Sequence, residues 1–298
     1  MHSIRILFAD YAGVVIGQHE LPGIPQTADG PAQLSRIADQ LHRALEDDGI
    51  SASRLLAIGI SLPGIVDASG QVLASVILPG WVRVDIRARL AGIFGCPVGI
   101  DNGVRLAAVA EHHLGVAQLV DDVIYLSVGE RIAMGLIIDG APRRGAHDLA
   151  GDIGRVAFRS IADETGQIHW RTAESAPQVF ELAHGGDTAA IEELDLFETE
   201  LARGIATLMM AIDPNMVVIG GGLSLANEVL IAPLRRKVEA EIGLPINVPM
   251  AAARFGGEAA VHGALVHGFA HLPALPGVDS IPAPRITTLR KDPLAPGR

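Results

Sequence analysis

In a chain of 298 residues there is one cysteine, Cys96. A single thiol closes no intrachain disulfide, so a secreted disulfide scaffold is not expected. Basic residues are also scarce. The 23 Lys and Arg against 34 Asp and Glu leave a formal net charge of -11 at pH 7, which repels a phosphate backbone. The densest basic cluster, Arg235 to Lys237, follows Pro233 in a stretch that reads as the solvated face of an amphipathic helix. Direct nucleic-acid binding by this chain is therefore not expected. Long apolar runs are missing too: RLLAIGISLPGIV (54–66) and MVVIGGGLSLA (216–226) are broken by Gly, Pro or polar residues well short of the ~20 residues a membrane span needs. No basic segment followed by an apolar one opens the chain, and the expected compartment is the cytoplasm.

What is present is apolar mass. Hydrophobic residues make up 49% of the chain and mean hydropathy is +0.35, which demands a large buried core. Short apolar segments alternate with amphipathic ones, the pattern of an α/β protein whose sheets are covered by helices. IRILFAD (4–10) and VVIGQ (14–18) flank an Ala12-Gly13 turn and read as a hairpin. Leu34, Ile37, Leu41 and Leu45 have helical spacing within 31–48, and LLAIGISL (55–62) reads as a buried strand. A helix is expected from Asn102 to about Leu114. Two strands, 123–129 and 134–140, follow, and then a helix over 192–212 that stops at Asp213-Pro214 because proline disfavours helix in the residue before it. MVVIGGG (216–222) reads as a strand and glycine loop, and 257–270 as a helix of small residues.

Four segments in fixed order, ISLPGIVDASGQVLASVILPGW (60–81), DNGVRLAAVAEHHLG (101–115), DDVIYLSVGERIAMGLIIDGAPRRGAHDLAGDIGR (121–155) and DPNMVVIGGGLS (213–224), closely resemble the ROK family of repressors, open reading frames and sugar kinases. The resemblance implies the actin-like, ribonuclease-H-like two-lobed fold. It divides the chain into an N-terminal lobe over 1–105, truncated at its start and lacking its first strand, and a larger C-terminal lobe over 106–256. A helix over 257–271 would pack back toward the first lobe, and 272–298 would form a mobile proline-rich tail. The same resemblance places the sugar at Asp101, Asn102, Asp152 and Arg155, and phosphate loops at Gly129 and at Gly220, Gly221 and Gly222.

Each of these positions also has a plainer explanation. Asn102 and Asp101 follow a strand and open a helix, so either can cap it instead of holding a hydroxyl. Asp152 can be satisfied by Arg155 three residues on. The triple glycine can be a tight strand-to-helix turn. Where family kinases carry the general-base aspartate, this chain has Gly103, which accepts no proton. The family's opening Asp-x-Gly-Gly-Thr turn is not found, and GERIAMG (129–135) stands where a glycine-rich phosphate loop is usual, with Glu130 opposing phosphate and Arg131 able to offset it. Arg155 replaces the family's histidine, no cysteine follows it, and His169 alone cannot build a zinc site. Around Trp170 the family's second sugar glutamate aligns with Arg171, with Glu174 as a fallback.

These departures point to a sugar-sensing effector domain of a ROK-type transcriptional regulator, homodimeric, whose DNA-binding region lies outside this chain. No resident cofactor is implied. ATP and magnesium enter only under the alternative of a sugar kinase, in which Asp101 or Asp152 would replace the missing base, and the remaining alternative is a remnant that binds nothing.

Overall fold

The computed structural model describes residues 3–223 and 228–273. The tail expected beyond residue 271 falls outside the described residues from 274 onward. The N-terminal half opens with β1 (Ser3–Ala9) and β2 (Val15–Pro22), an antiparallel hairpin as the sequence predicts. Helix α1 (Gly30–Asp47) starts where Asp29 accepts from the Ala32 amide at 3.0 Å and Pro31 presets the first turn. Strand β3 (Ile58–Leu62) begins three residues later than the apolar run suggests, because Ala52–Arg54 form a short 3-10 turn ahead of it. The small hairpin of β4 (Ile65–Val66) and β5 (Val72–Ala74) and the helix α2 (Ile86–Phe94), capped by Asp85, lead to β6 (Val98–Asn102). Strands β3 and β6 pair in parallel, Ile58 with Val98 through Leu62 with Asn102, so their carboxyl ends coincide.

Helix α3 (Gly103–Leu114) then enters the second half. A five-stranded sheet there has the order β11-β10-β7-β8-β9, where β7 is Val123–Val128, β8 Ile132–Ile138, β9 Ala141–Pro142, β10 Met216–Gly220 and β11 Met250–Ala252. Strand β8 begins earlier than the sequence predicts: Ile132 pairs with Val128, so residues 129–131 are the hairpin's turn. The short α4 (Gly154–Ala157) and α5 (Ala176–His184) precede the long α6 (Thr188–Ile212). Asp187 caps α6, which starts four residues before the predicted position, and Asp213 ends it in the left-handed region at φ 53°, just ahead of Pro214. Helix α7 (Glu228–Ile242) spans Pro233 and does not start after it. The last helix, α8 (Ala259–Phe269), follows a short 3-10 turn at Gly256–Glu258.

Two large cores result. One gathers Leu34, Leu45, Val66, Trp81, Ile86 and Ile100 from the first half, and the other gathers Leu126, Phe158, Leu201, Ile205, Val217 and Leu234 from the second. A smaller cluster, including Val109, Tyr125, Val218 and Val266, joins α3 and α8 to the back of the larger sheet. Each fully buried aliphatic side chain contributes about 1.5–3 kcal/mol. Small residues let α8 reach this position. A Cβ on Gly59 of β3 would stand 1.8 Å from the Ala264 carbonyl oxygen, and one on Gly263 would stand 1.8 Å from that of Leu106. Backbone approaches that close admit only glycine.

Candidate functional site

The carboxyl ends of β3 and β6 meet the amino end of α3, the position at which open α/β sheets bind ligands. Asn102 is the helix N-cap. Its Oδ1 accepts from the Val104 and Arg105 amides at 2.9 and 3.1 Å, while its Nδ2 donates to the Gly64 carbonyl at 2.5 Å. Both ends of the amide are therefore engaged within the protein, and the one Oδ1 atom holds two of the orphan helix donors.

Asp101 does not share the capping role allowed for it. It is 4% exposed and sits between two guanidinium groups: Arg144 Nη2 reaches its Oδ2 at 2.6 Å and Arg105 Nε lies 3.4 Å from its Oδ1. Burial pushes the Asp101 carboxyl above the usual aspartate range, with Arg105 and Arg144 pulling the other way. Arg105, in the first turn of α3, is as deeply buried, and its Nε and Nη1 have no hydrogen-bond partner. Arg144, from the loop after β9, also donates to the Val66 and Asp67 carbonyls at 3.3 and 3.2 Å and faces Asp148 at 3.9 Å. One side chain of the second half thus clamps the hairpin and strand end of the first.

Both arginines are absent from the sequence-based site, although a signal existed for each. Arg105 is a lone charge on a helix otherwise made of Ala, Val and Leu in its first two turns, and Arg144 lies in APRRG, read only as turn chemistry.

Gly103 opens α3, and a Cβ placed on it would meet the Ser61 hydroxyl at 3.0 Å and the Ala260 Cβ at 3.9 Å. The position can thus receive a side chain once Ser61 rotates.

Asp152 and Arg155 stand apart from this cluster. They pair with each other at 3.1 Å, the local ion pair the sequence allows, and both are partly exposed. Among the described residues no hydrogen bond or ion pair joins them to Asp101 or Asn102.

The glycines do converge. A Cβ on Gly129 would lie 3.5 Å from the Gly222 amide nitrogen, so the loops after β7 and β10 adjoin. Packing nevertheless explains two of them: a Cβ on Gly220 would fall 2.0 Å from the Tyr125 hydroxyl, and Gly221, at φ +79°, would meet the Val128 carbonyl at 2.5 Å. Burial raises the Tyr125 phenol well above its usual range. Arg131, expected to offset Glu130, is held by the neighbouring loop. Arg131 Nη1 donates to the Thr165 carbonyl and, at 2.8 Å, to the Thr165 hydroxyl, anchoring the 163–169 loop.

In that loop Asp163 accepts from the Thr165 and Gln167 amides at 2.8 and 3.0 Å and pairs with His169 Nε2 at 2.8 Å, which hold its carboxyl well below the usual range. Among the described residues no three His, Cys, Asp or Glu side chains converge as metal ligands. Arg171 pairs through Nε with Glu193 at 3.5 Å, and the same carboxylate accepts from the Arg171 and Thr172 amides at 2.6 and 2.9 Å. This is a link between a loop and α6. Glu174 lies on the same loop, and its amide donates to Gln178 at 3.1 Å.

Among the described residues no helix is long and apolar enough to cross a membrane. The curated relatives include both kinases and repressors. The chain is 25% identical over 274 residues to a glucokinase of Halalkalibacterium halodurans, covering 80% of this chain and 82% of the glucokinase. It is also 25% identical over 268 residues to a xylose repressor of Caldicellulosiruptor bescii, covering 78% of this chain and 64% of the repressor. Its fold matches that of a ROK family transcriptional regulator, a homologue of the E. coli MLC protein, with a TM-score of 0.75 at 19% identity over 89% of this chain and 75% of that one. The ROK family model matches residues 2–169 and 155–267, and the chain belongs to the ROK family, with its α/β, actin-like two-lobed fold.

Proposed function

We propose that this chain is the sugar-binding effector domain of a ROK-type transcriptional regulator and holds a monosaccharide without phosphorylating it. The observation that carries the reading is Gly103 at the head of α3, where nothing can take a proton from a substrate hydroxyl. Asp101, the nearest carboxylate in sequence, is committed to Arg105 and Arg144. Asp152 is engaged with Arg155. The neighbouring glycine loops fit the same view, since packing against Tyr125 and Val128 accounts for Gly220 and Gly221 without a nucleotide. The sugar contacts we assign are Asn102 together with Arg105, whose buried Nη1 lacks a partner within the protein. DNA contact is assigned to another part of the regulator, in keeping with the charge of -11, and the working unit is a homodimer.

The test is paired. Purified protein is screened by thermal melting against pentoses, hexoses and amino sugars, and the same sugars are incubated with ATP and magnesium while ADP release is followed. A ligand of the folded state raises the melting temperature by mass action, so a sugar-specific rise without ADP release is the expected result. Turnover near the ~1–100 s⁻¹ of ordinary kinases would establish the kinase alternative. If no sugar shifts the melting temperature, the sensor reading is overturned.

A further inference from the structure

Two acids and two bases meet where the halves join. Asp101 lies 2.6 Å from Arg144 Nη2 and 3.4 Å from Arg105 Nε, and Arg144 Nη1 lies 3.9 Å from Asp148. Arg105, Arg144 and Asp148 are also the charges whose fields reach the Asp101 carboxyl.

The three contacts differ in kind. Asp101 and Arg144 are 43 positions apart and belong to opposite halves. Asp101 and Arg105 are four apart on the continuous unit of β6 and α3, and Arg144 and Asp148 are four apart on one loop. Each member of the remote pair therefore has an opposite charge on its own segment, which stays beside it however the halves are arranged.

Both local contacts stand short of closure. Arg105 Nε is buried without a hydrogen-bond partner while it faces Asp101 Oδ1, and the contact of Arg144 with Asp148 is loose. Asp101 Oδ2 goes to Arg144, and its Oδ1 accepts from the Asn102 amide at 2.6 Å. A shift of about an ångström would bring either local pair to the ~2.8 Å of a charged hydrogen bond. Removing Arg144 from a buried carboxylate with no other partner would leave an unpaired buried charge, a heavy cost. With Arg105 and Asp148 taking over, no charge is left alone in either arrangement.

The loop that carries Arg144 suits such a movement. Its ends are tied to β8, where the Arg143 amide donates to the Leu136 carbonyl and the Met134 amide donates to the Gly151 carbonyl, both at 2.9 Å. Between these anchors the Ala150 amide donates back to the Arg144 carbonyl at 3.0 Å, so the segment is a closed turn of its own. Gly145 and Asp148 within it take φ of +77° and +58°.

We propose that Asp101 and Arg144 form a latch between the halves that opens by partner exchange, Asp101 turning to Arg105 and Arg144 to Asp148. In the released arrangement Arg144 also gives up the Val66 and Asp67 carbonyls, and the halves part. The exchange conserves charge and uses Arg105 Nε, leaving the Nη1 assigned above to the sugar. It does not depend on which ligand the cleft holds.

Spin labels at Glu46→Cys on α1 and Glu192→Cys on α6, both exposed positions, read the separation of the halves by pulsed electron resonance in a full-length Cys96→Ala chain diluted with unlabelled protein. Arg144→Met should enrich the longer distance and Arg105→Met the shorter one, each about tenfold, the worth of one hydrogen bond to a charged group. Opposite signs are the signature, because a static network loosens whichever arginine is removed. A shift in the same direction for both variants, or none for Arg105→Met, overturns the latch. The parent protein gives a second measurement that needs no folded variant: relaxation dispersion at the Nε–H signals of Arg105 and Arg144. One shared exchange rate is expected on the microsecond to millisecond scale, and unrelated rates, or no exchange at either, overturn the proposal.

Discussion

Asn102 shows how much one amide carries. Replacing it with Ala removes the only side-chain acceptor on two helix amides and a donor to Gly64, so the fold should lose about 1–2 kcal/mol, measured as a lowered denaturant midpoint at constant slope. Asn102→Asp keeps the acceptor and loses the donation to Gly64, and should lie between the variant and the parent. If sugar contact is also its task, Asn102→Ala abolishes the sugar-dependent rise in melting temperature, while Asp152→Ala leaves that rise intact because, among the described residues, the Asp152 carboxylate pairs with Arg155 alone. The Gly103→Asp substitution asks a different question. Ser61 can rotate to admit the new side chain, and a helix position gains by losing glycine, by up to ~1 kcal/mol. Under the sensor reading the variant should fold and still release no ADP above background. Turnover at kinase rates would show that the base alone was missing.

At the scale of elements, the Asp101–Arg105–Arg144 cluster ties α3, the β6 end and the loop after β9 together. Arg144→Met would leave a buried carboxylate with Arg105 and the Asn102 amide as its remaining partners, and breaking a buried pair from one side costs about 3–5 kcal/mol. Asp101→Asn in the same chain should recover part of that loss, a coupling read from a double-mutant cycle. Helix α8 supplies the pH dependence. Burial, reinforced by His271, Arg144 and Arg87, lowers the His267 imidazole to about 4. A depressed histidine pKa means that the folded state holds the ring neutral while the unfolded chain protonates near 6.5. Its contribution is thus complete above pH 6.5 and drains away between about 6.5 and 4. The melting temperature should fall across that window, and less steeply in His267→Gln; an identical slope would assign the loss to other groups.

Elements legible in the sequence were those with periodic apolar faces or terminal caps. Helix α3 matches from its Asn102 cap to Leu114, and Asp213-Pro214 stops α6 where expected. The small β4–β5 hairpin and α5 were missed because two or three paired residues leave no period to read, and α5 buries only Val179. The candidate site was legible as a place, the carboxyl end of β6, while the arginines packed around Asp101 were not. Arg144 reaches Asp101 across 43 positions, a distance no local pattern encodes.

For the molecule as a whole, family membership leaves two activities on one fold, since the relatives include a glucokinase and a xylose repressor. The sensor reading requires an open and a closed arrangement with different affinity for sugar, and Arg144 is placed to act at that joint because it holds residues of both halves. Small-angle scattering with and without the stabilising sugar should show a smaller radius of gyration in the bound state, and Arg144→Met should reduce the difference.

The sequence by itself determined the family, the α/β alternation and the glycine at residue 103, because these rest on residue identity and local period. Tertiary structure alone decided that Asp101 is spent on two arginines and that Gly220 and Gly221 serve the packing of Tyr125 and Val128. Those outcomes depend on which distant backbone and side-chain groups approach within a few ångströms, and only the packed chain sets such distances.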